Sequence, residues 1–394
     1  MDELFTLEDI LTPDQIDIRR SVQKICAEYP DAYWLEKDEK HSYPHEFADA
    51  IARAGYLGIA YPPEYGGAGL GITEAAVLTQ TVAEGGGANS AVVSIIHPIF
   101  GLHPVVKHGT EEQKRRWLPS MISRKDRSCF GVTEPDAGLD TTRLKTFAEK
   151  RGDKYYVRGQ KIWTSGAQQS TKIMLLARTR PINATKRPMD GLSLFFTDLD
   201  RNYVEIREIA KMGRHASDSN QVFFNDLPVP QEDLIGEEGR GFHYILDGLN
   251  PERILITAGL IGTGIAALRR AVQYAKERVV FDRPIGKNQA IQHPLADSWC
   301  QLEAAMLMNF KAAELYDKGL PCAHLCNAAK HLAAEAAFKA CERAVMSHGG
   351  MGYAKEFHVE RYYREVWVMR IGPVTSNLIL SYIGEKVLGL PKSY

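Results

Sequence analysis

The side chains with the most versatile chemistry, six cysteines and twelve histidines, do not form a known catalytic or metal-binding pattern. Cys322 and Cys326 are the only closely spaced cysteines, and no second pair completes a tetrahedral zinc site. His45 and Glu46 lack the second histidine of a helical zinc-protease motif. We therefore interpret the cysteines as buried thiols in a reducing compartment and predict no metal site.

Signatures of phosphate-binding loops and of hydrolases are missing as well. Gly259, Gly262 and Gly264 fall inside an alanine-rich stretch, so they favour close helix packing over dinucleotide binding. The sequence has no G-x-x-x-x-G-K-[ST] loop and no Gly-x-Ser-x-Gly elbow. A Rossmann site and a hydrolase nucleophile are both disfavoured.

The first third of the chain has the pattern of helices. Thr12, Pro13 and Gln15 form an N-cap, a proline at the first helical position and a capping-box glutamine. Thr110 and Gln113 repeat the capping box. We expect helices to begin at both places.

From about Cys129 the pattern becomes strand-like, and after Gly239 it returns to helix. Residues 145–162 hold two extended runs joined around residues 151–154, which is a hairpin signature. Further strands are predicted at residues 173–177, 192–197, 204–209 and 221–224. Long helices are predicted over residues 254–278, 292–318 and 325–346, and helices of this length pack as an antiparallel bundle. The predicted order is helical, β, helical.

Overall composition excludes some classes of function. The net charge of -1 gives no reason to expect a nucleic-acid partner, because such affinity comes mainly from lysine and arginine on phosphates. The acidic start lacks the basic region of a signal peptide, and we expect no apolar run to be long enough to span a bilayer. The expectation is a cytoplasmic protein of two or three cooperating domains without a membrane partner.

Four separated segments together resemble the acyl-CoA dehydrogenase family. They are VTEPDAGLD at 132–140, GQKIWTS at 159–165, RVVF at 278–281 with Pro284, Ile285 and Gln289, and GGMGY at 349–353 followed by Glu360, Arg361 and Arg364. Their order and spacing cover nearly the whole chain. Each segment alone has a plain structural explanation, such as a core aromatic for Trp163 or a helix stop for the glycines.

The resemblance implies a multidomain α+β fold with an N-terminal helical domain at 1–128, a central β-barrel at 129–238 and a C-terminal four-helix bundle at 239–394. It also implies FAD between barrel and bundle, in a homodimer or homotetramer. By matched positions, the residues that bind FAD are Phe130, Val132, Thr133, Trp163, Ser165, Arg278, Phe281, Gln289, Gly349, Gly350, Thr375 and Asn377. Arg278, Phe281 and Gln289 are expected to reach the FAD of a neighbouring subunit.

The family reaction needs a carboxylate base, and two segments bear on it. Most members carry this glutamate in a Y-E-G-T turn, but the aligned stretch here is IGPVT at 371–375, with Pro373 at the glutamate position. A branch that includes isovaleryl- and long-chain acyl-CoA dehydrogenases carries the base on the first long helix of the bundle. The matching stretch GLNPER at 248–253 puts Glu252 there. The alternative for Glu252 is a carboxylate that only stabilises the start of a helix.

The resemblance also implies a substrate site and leaves its specificity open. Its matched residues are Leu139, Val93, Ile96, Phe100, Leu249, Asn250, Arg253 and Gly372, several of them apolar, which favours an unsubstituted or branched acyl chain. Leu139 replaces a serine near the CoA, and Pro373 removes an N–H that grips the substrate carbonyl in the family. Acyl chain length and what replaces this N–H stay open.

The expected function is FAD-dependent α,β-dehydrogenation of an acyl-CoA to the 2-enoyl-CoA, with electrons passed to an electron-transfer flavoprotein. The alternatives are an acyl-CoA oxidase or another flavoenzyme of the same fold, or a flavoprotein that acts as a scaffold or binds DNA. A basic surface would favour DNA binding, and the net charge argues against one. Dehydrogenase versus oxidase, and dimer versus tetramer, are not decided by the sequence.

Overall fold

A computed structural model describes Phe5 and residues 7–393, and its first third is helical. Both predicted capping boxes are confirmed: the Thr12 and Thr110 hydroxyls accept from the backbone N–H of Gln15 and Gln113, at 3.3 and 3.2 Å. The helices are α1 Leu7–Ile10, α2 Pro13–Ala27, α3 Asp31–Glu39, α4 His45–Arg53, α5 Ile72–Val82, α6 Ala88–Phe100, α7 His103–His108 and α8 Glu111–Ile122.

The middle of the chain forms one curled sheet of seven strands. The strands are β1 Ser128–Gly131, β2 Phe147–Arg151, β3 Lys154–Ser165, β4 Lys172–Arg178, β5 Leu192–Asp198, β6 Val204–Glu208 and β7 Ser219–Pro230. Their order is β1-β4-β2-β3-β7-β6, and β5 pairs with β4. The predicted hairpin is confirmed, because Arg151 pairs with Lys154 across its turn. The expected barrel is thus a curled sheet.

The last part of the chain is a helical bundle interrupted by one short hairpin. Its elements are α9 Gly241–Asp247, α10 Leu249–Glu277, β8 Val279–Val280, β9 Arg283–Pro284, α11 Gln289–Asp317, α12 Ala323–His348, α13 Val359–Ile371 and α14 Ser376–Lys386. The glycines of α10 allow close packing, as expected: a Cβ on Gly264 would lie 2.7 Å from Leu302 and one on Gly262 would lie 2.4 Å from Gln80 O.

Helix α6 lies between the sheet and the bundle. It begins after a helical break at Ala83–Gly87, and φ is positive at Gly86 in this break and at Ala88, the first residue of α6. The buried Glu365 of α13 holds the start of α6, because its carboxylate accepts from the N–H and hydroxyl of Ser90 at 2.9 and 2.7 Å. Phe100 at its far end packs on Phe130 of β1, with ring centroids 6.0 Å apart. This helix therefore brings both halves of the molecule to one place.

Two helical stretches, Ile72–His108 and Gly241–Glu277, are long and apolar enough to cross a membrane, so the expectation that none would be was wrong. In each stretch, most of an apolar 18-residue segment is buried inside the protein, 72% in the first and 83% in the second, as in core helices of globular proteins. Within the described residues no cluster of potential metal ligands occurs. Cys300 is exposed, contrary to expectation, and the other five cysteines are buried.

Candidate active site

Glu252 lies in the first turn of α10, next to Arg253. Burial raises the pKa of its carboxyl from 4.5 to about 7, although the positive charge of Arg253 opposes this shift. No hydrogen bond to its carboxylate occurs within the part of the chain that the structure describes. A carboxyl that is half protonated near neutral pH can accept a proton from a substrate and later release it.

The neighbours of Glu252 on α10 are held by weak polar contacts. Nη1 of Arg253 is 3.4 Å from Oδ1 of Asn250, whose Nδ2 is 3.9 Å from Sγ of Cys322. Burial lowers the pKa of Arg253, and the Glu252 carboxylate opposes that. Leu249 opens the same helix. The matched substrate residues 249, 250 and 253 therefore lie in the same helical turn as Glu252.

The turn at residues 371–375 joins α13 to α14. Gly372 has open space where a Cβ would be, and Pro373 is exposed. Thr375 is the N-cap of α14, and its hydroxyl accepts from the N–H of Leu378 at 3.3 Å, so this oxygen is already engaged in the protein. Asn377 is exposed in the first turn of α14. Pro373 has no carboxylate to offer, in agreement with a base elsewhere.

A buried ion pair connects the two segments matched to the flavin ring. Nζ of Lys161 is 2.8 Å from Oε1 of Glu134 and 3.0 Å from Val132 O, and both charged side chains are almost fully buried. The backbone N–H of Ile162 donates to Thr133 O at 2.9 Å. The loop at 132–134 and the end of β3 are thus one rigid unit.

Trp163 projects from this unit into open space. The β3–β7 register is irregular between Lys161 and Thr164, and Trp163 has a φ of +61° with 57% of its surface exposed. A tryptophan in a strained conformation and left uncovered is typical of a surface that stacks on a ligand. Ser165 ends the strand two residues later.

The segments matched to the adenosine end of FAD lie together at one end of the bundle. Tyr274 of α10 stacks on His348 of α12, with ring centroids 4.3 Å apart, so the hairpin after Arg278 and the glycines after His348 emerge side by side. Phe281 at the hairpin tip is 93% exposed. Arg278 and Gln289 are exposed too.

Gly349 and Gly350 leave their backbone uncovered. Gly349 has a φ of +59°, which disfavours other residues, and a Cβ on either glycine would meet nothing within 4 Å. Such a stretch lets a ligand approach the main chain closely. The predicted FAD-binding residues therefore form two main clusters. The ring-side cluster is Phe130, Val132, Thr133, Trp163 and Ser165, and the adenosine-side cluster is Arg278, Phe281, Gln289, Gly349 and Gly350.

The matched acyl-pocket residues lie on α6. Ile96 and Phe100 are buried in the core, whereas Val93 lines a cavity with Ser94, His97 and Arg124. Burial, reinforced by the charge of Arg214, lowers the pKa of His97 to about 4, so that ring is neutral near pH 7. Leu139 is exposed in the loop that precedes β2.

Two buried lysines near these segments were not predicted as functional. Lys161 supports the ring-side unit, and Lys330 of α12 donates to the carbonyls of Met369 and Val374, on either side of Pro373. For Lys161 the signal was its position between Gln160 and Trp163 in the matched segment. Lys330 sits in an apolar alanine-rich helix, where a lysine at a core position is unusual.

Comparison with known protein families accounts for most of the chain. Sequence models of the acyl-CoA dehydrogenase N-terminal, middle and C-terminal domains match residues 12–125, 129–227 and 239–388. The chain belongs to the acyl-CoA dehydrogenase family. Acyl-CoA dehydrogenase fadE12 of Mycobacterium bovis is 35% identical over 96% of both chains. Glutaryl-CoA dehydrogenase of Desulfococcus multivorans is 31% identical over 99% of both.

Solved structures of the family share the fold. The butyryl-CoA dehydrogenase of Megasphaera elsdenii has a TM-score of 0.87 and 30% identity, covering 96% of this chain and 99% of that one. A glutaryl-coenzyme A dehydrogenase complex has a TM-score of 0.91 and 29% identity, covering 97% of both chains. As a family member, the protein is an FAD-dependent oxidoreductase.

The residues present suit FAD. An exposed Trp163 offers a face for a flavin ring, and the open backbone at Gly349 and Gly350 suits the approach of a diphosphate. Arg278 is an exposed guanidinium able to fork onto phosphate oxygens. Both ends of the dinucleotide have suitable side chains or backbone in this chain.

Proposed function

We propose that the protein dehydrogenates an acyl-CoA thioester between its α and β carbons, with Glu252 as the base that removes the α-proton. The observation that carries this proposal is Glu252 itself, which is half-buried in the first turn of α10 at the base position of one family branch, with the pKa of its carboxyl raised by desolvation to about 7. Pro373 stands at the alternative position and has no ionisable group. Of the two positions where the family carries its base, only the one at Glu252 has a carboxylate here.

The residues around Glu252 would control proton transfer. Burial keeps water from the carboxylate, which raises its affinity for a proton. Arg253, one residue away, partly offsets this effect, so the group is still ionised in a useful fraction near pH 7. FAD, when bound, supplies the hydride acceptor at its N5. The side chains that we propose to hold it are those of the ring-side and adenosine-side clusters.

We further propose that the acyl group is apolar, either unbranched or branched. Val93, Ile96 and Phe100 supply apolar side chains on α6, and Gly372 has open space where a Cβ would be, which would leave room for a wider acyl group. Asn250, Leu249 and Arg253 are proposed contacts of the thioester end, and Leu139 of the CoA part. The name of one relative specifies glutaryl-CoA, so a dicarboxylyl substrate belongs in the test.

An electron-transfer flavoprotein is the proposed electron acceptor. A chain in a structure of the electron transferring flavoprotein of Acidaminococcus fermentans has a TM-score of 0.90 and 30% identity to this one, which supports the proposal. We also propose a homodimer or homotetramer in which Arg278, Phe281 and Gln289 contact the FAD of a neighbouring copy. The support is an apolar hairpin tip that a single copy leaves in water.

The test mixes flavin-loaded protein anaerobically with a panel of straight, branched and dicarboxylyl acyl-CoA thioesters. We expect the visible flavin absorbance to bleach with apolar acyl groups and the 2-enoyl-CoA to appear. A dicarboxylyl thioester as the best substrate would overturn the specificity proposal alone. Absence of bleaching with every thioester would overturn the proposed reaction. Rapid reoxidation by air in a parallel sample would favour an oxidase.

A further inference from the structure

Lys330 is a buried lysine for which the proposed mechanism has no use. Its side chain is fully buried in α12, and within the described residues no carboxylate is bonded to it. Its Nζ donates instead to two backbone carbonyls, at 2.6 Å to Met369 O and 2.9 Å to Val374 O. A buried ammonium is costly unless its hydrogen bonds are satisfied, so this position calls for a reason.

The two carbonyls stand on opposite sides of one turn. Met369 lies in the last turn of α13, where carbonyls have no helical N–H partner. Val374 comes just before Thr375, the N-cap of α14. Pro373, at the position where most of the family carries its base, lies between them. One side chain therefore binds the backbone on both sides of Pro373.

The bond to Val374 also orients a peptide group. The Val374–Thr375 peptide is planar and trans, so the N–H of Thr375 points away from the carbonyl that Lys330 holds. Among residues 7–393, none accepts a hydrogen bond from the N–H of Val374 or Thr375. Although Pro373 cannot donate, the two residues that follow it keep free N–H groups.

The arrangement does not depend on the charge of Lys330. Burial, with repulsion from Arg253, lowers the pKa of Lys330 to about 8, against a smaller opposing effect of Glu335. An ammonium has three N–H groups, and the neutral amine still has two, one for each carbonyl. The contact is thus suited to holding a backbone in place rather than to supplying a charge.

We propose that Lys330 is a positioning residue, which fixes the turn at residues 371–375 so that its free N–H groups serve the thioester carbonyl. The proposal rests on the proposed function, because it assumes that the acyl-CoA reacts beside this turn. Donors aimed in advance at a developing oxyanion lower a barrier without tighter substrate binding. The contribution of Lys330 should therefore appear in the rate of reduction.

The test is Lys330→Met, which keeps an unbranched side chain without an N–H. At saturating acyl-CoA, we expect flavin reduction per flavin-loaded site to slow at least ~10-fold with a smaller change in KM, as a misplaced donor does. In flavin-free protein, deuterium exchange of the amides at residues 374–378 should become faster. The matched control is Lys311→Met, at an exposed lysine of α11 paired with Glu314, and it should change neither quantity.

Parental reduction per loaded site would overturn the proposal, even if Lys330→Met lowered the melting temperature. Should this variant not fold, Lys330→Ala is assayed with and without ethylamine. Recovery of the rate with the amine, and not with ethanol, supports the proposal, and lack of recovery overturns it. Wild-type protein that no acyl-CoA reduces contradicts the proposed function instead, while the exchange experiment still measures whether Lys330 holds the turn.

Discussion

The two halves of the proposed FAD site are built in opposite ways. At the ring side, a buried ion pair between Lys161 and Glu134 fixes the loop at residues 132–134 to the end of β3, which carries Trp163. At the adenosine side, Phe281 and the backbone at Gly349 face open space. The first half is held by contacts within one chain, whereas the second has the apolar exposure typical of an interaction surface, as the proposed contact with another copy requires.

The difference follows from the costs of burial. Glu134 accepts from the N–H groups of Lys145 and Thr146, at 2.6 and 2.9 Å, as well as from Lys161. Such additional hydrogen bonds are needed to offset the desolvation cost of a buried ion pair. They also restrict the side chains of the pair to one arrangement. The hairpin around Phe281 has only two-residue strands and depends on contacts outside itself.

The largest effect should come from Glu252, which belongs to neither half. Glu252→Gln keeps the shape but cannot accept a proton, so we expect flavin reduction to slow by about 10²- to 10⁴-fold. FAD affinity and oligomeric state should stay parental, because both cofactor clusters are untouched. Rapid-mixing absorbance measures this, with Glu342→Gln on exposed α12 surface as the control. Reduction at the parental rate would make Glu252 structural.

The ring-side half is tested by removing one charge of its ion pair. Glu134→Gln leaves Lys161 buried without a counter-ion, and breaking such pairs costs about 3–5 kcal/mol. We expect a lower melting temperature and weaker FAD retention. The pKa of Lys161 is already lowered to about 8 by burial, so proton loss should limit the damage.

The control for Glu134→Gln lies two residues along the same loop. Asp136→Asn breaks a fully exposed pair with Lys145, which solvent screens, so the melting temperature should stay close to the parental value. The double variant Glu134→Gln/Lys161→Met should recover part of the loss, because no buried charge remains. Equal effects of the Glu134 and Asp136 variants would show that the ring-side half is not held as described.

The pH dependence of the free energy of unfolding should report on Glu252 separately from the two halves of the proposed FAD site. Its pKa is raised on folding from 4.5 to about 7, so the folded state binds more protons between these values. Wild type should therefore lose stability relative to Glu252→Gln as pH rises through this window, by up to about 3 kcal/mol. The wild-type reduction rate should fall below about pH 7, as the base becomes protonated.

Thermal unfolding of both proteins side by side measures this difference. The comparison stays below pH 8, where the lowered pKa of Lys330 begins to act in the opposite direction: its ionised form is disfavoured on folding, so stability rises with pH above that value. Parallel curves for wild type and Glu252→Gln would mean that the carboxyl is not buried as the structure has it.

The order of the three regions could be predicted from the sequence because their signals are local. The capping boxes at Thr12 and Thr110 and the hairpin at Arg151–Lys154 each depend on a few neighbouring residues. The helical break at Ala83–Gly87 could not, since the start of α6 is held by Glu365, which lies 275 positions after its partner Ser90. Long-range contacts of this kind leave no mark in local periodicity.

The proposed active site also has parts that the sequence could predict and parts that depend on long-range contacts. Glu252 was predicted from the resemblance of residues 248–253 and the departure at Pro373, but its partial burial depends on how the start of α10 packs in the folded chain. Lys330 was missed, because hydropathy describes a lysine as a surface residue and only the fold shows two carbonyls around it. Which side chains touch the substrate, as opposed to matching the family, stays a prediction.

The smallest expected effect concerns the adenosine-side half. Arg278→Met removes an exposed guanidinium that we propose to bind the diphosphate of a neighbouring copy's FAD. A hydrogen bond to a charged group contributes about 1.5–3 kcal/mol, so FAD affinity should fall about tenfold or more. The stability of the flavin-free chain should change by less than about 0.5 kcal/mol, since Arg278 is exposed.

Fluorescence titration of apo-protein with FAD measures the affinity, and sedimentation at several protein concentrations measures assembly. Arg207→Met, at an exposed arginine of β6, is the matched control and should change neither. If Arg278 binds FAD across an interface, the loss of affinity should deepen on dilution, as subunits separate. A loss that is independent of protein concentration would place the contact within one chain, and the two halves of the site would then differ only in exposure.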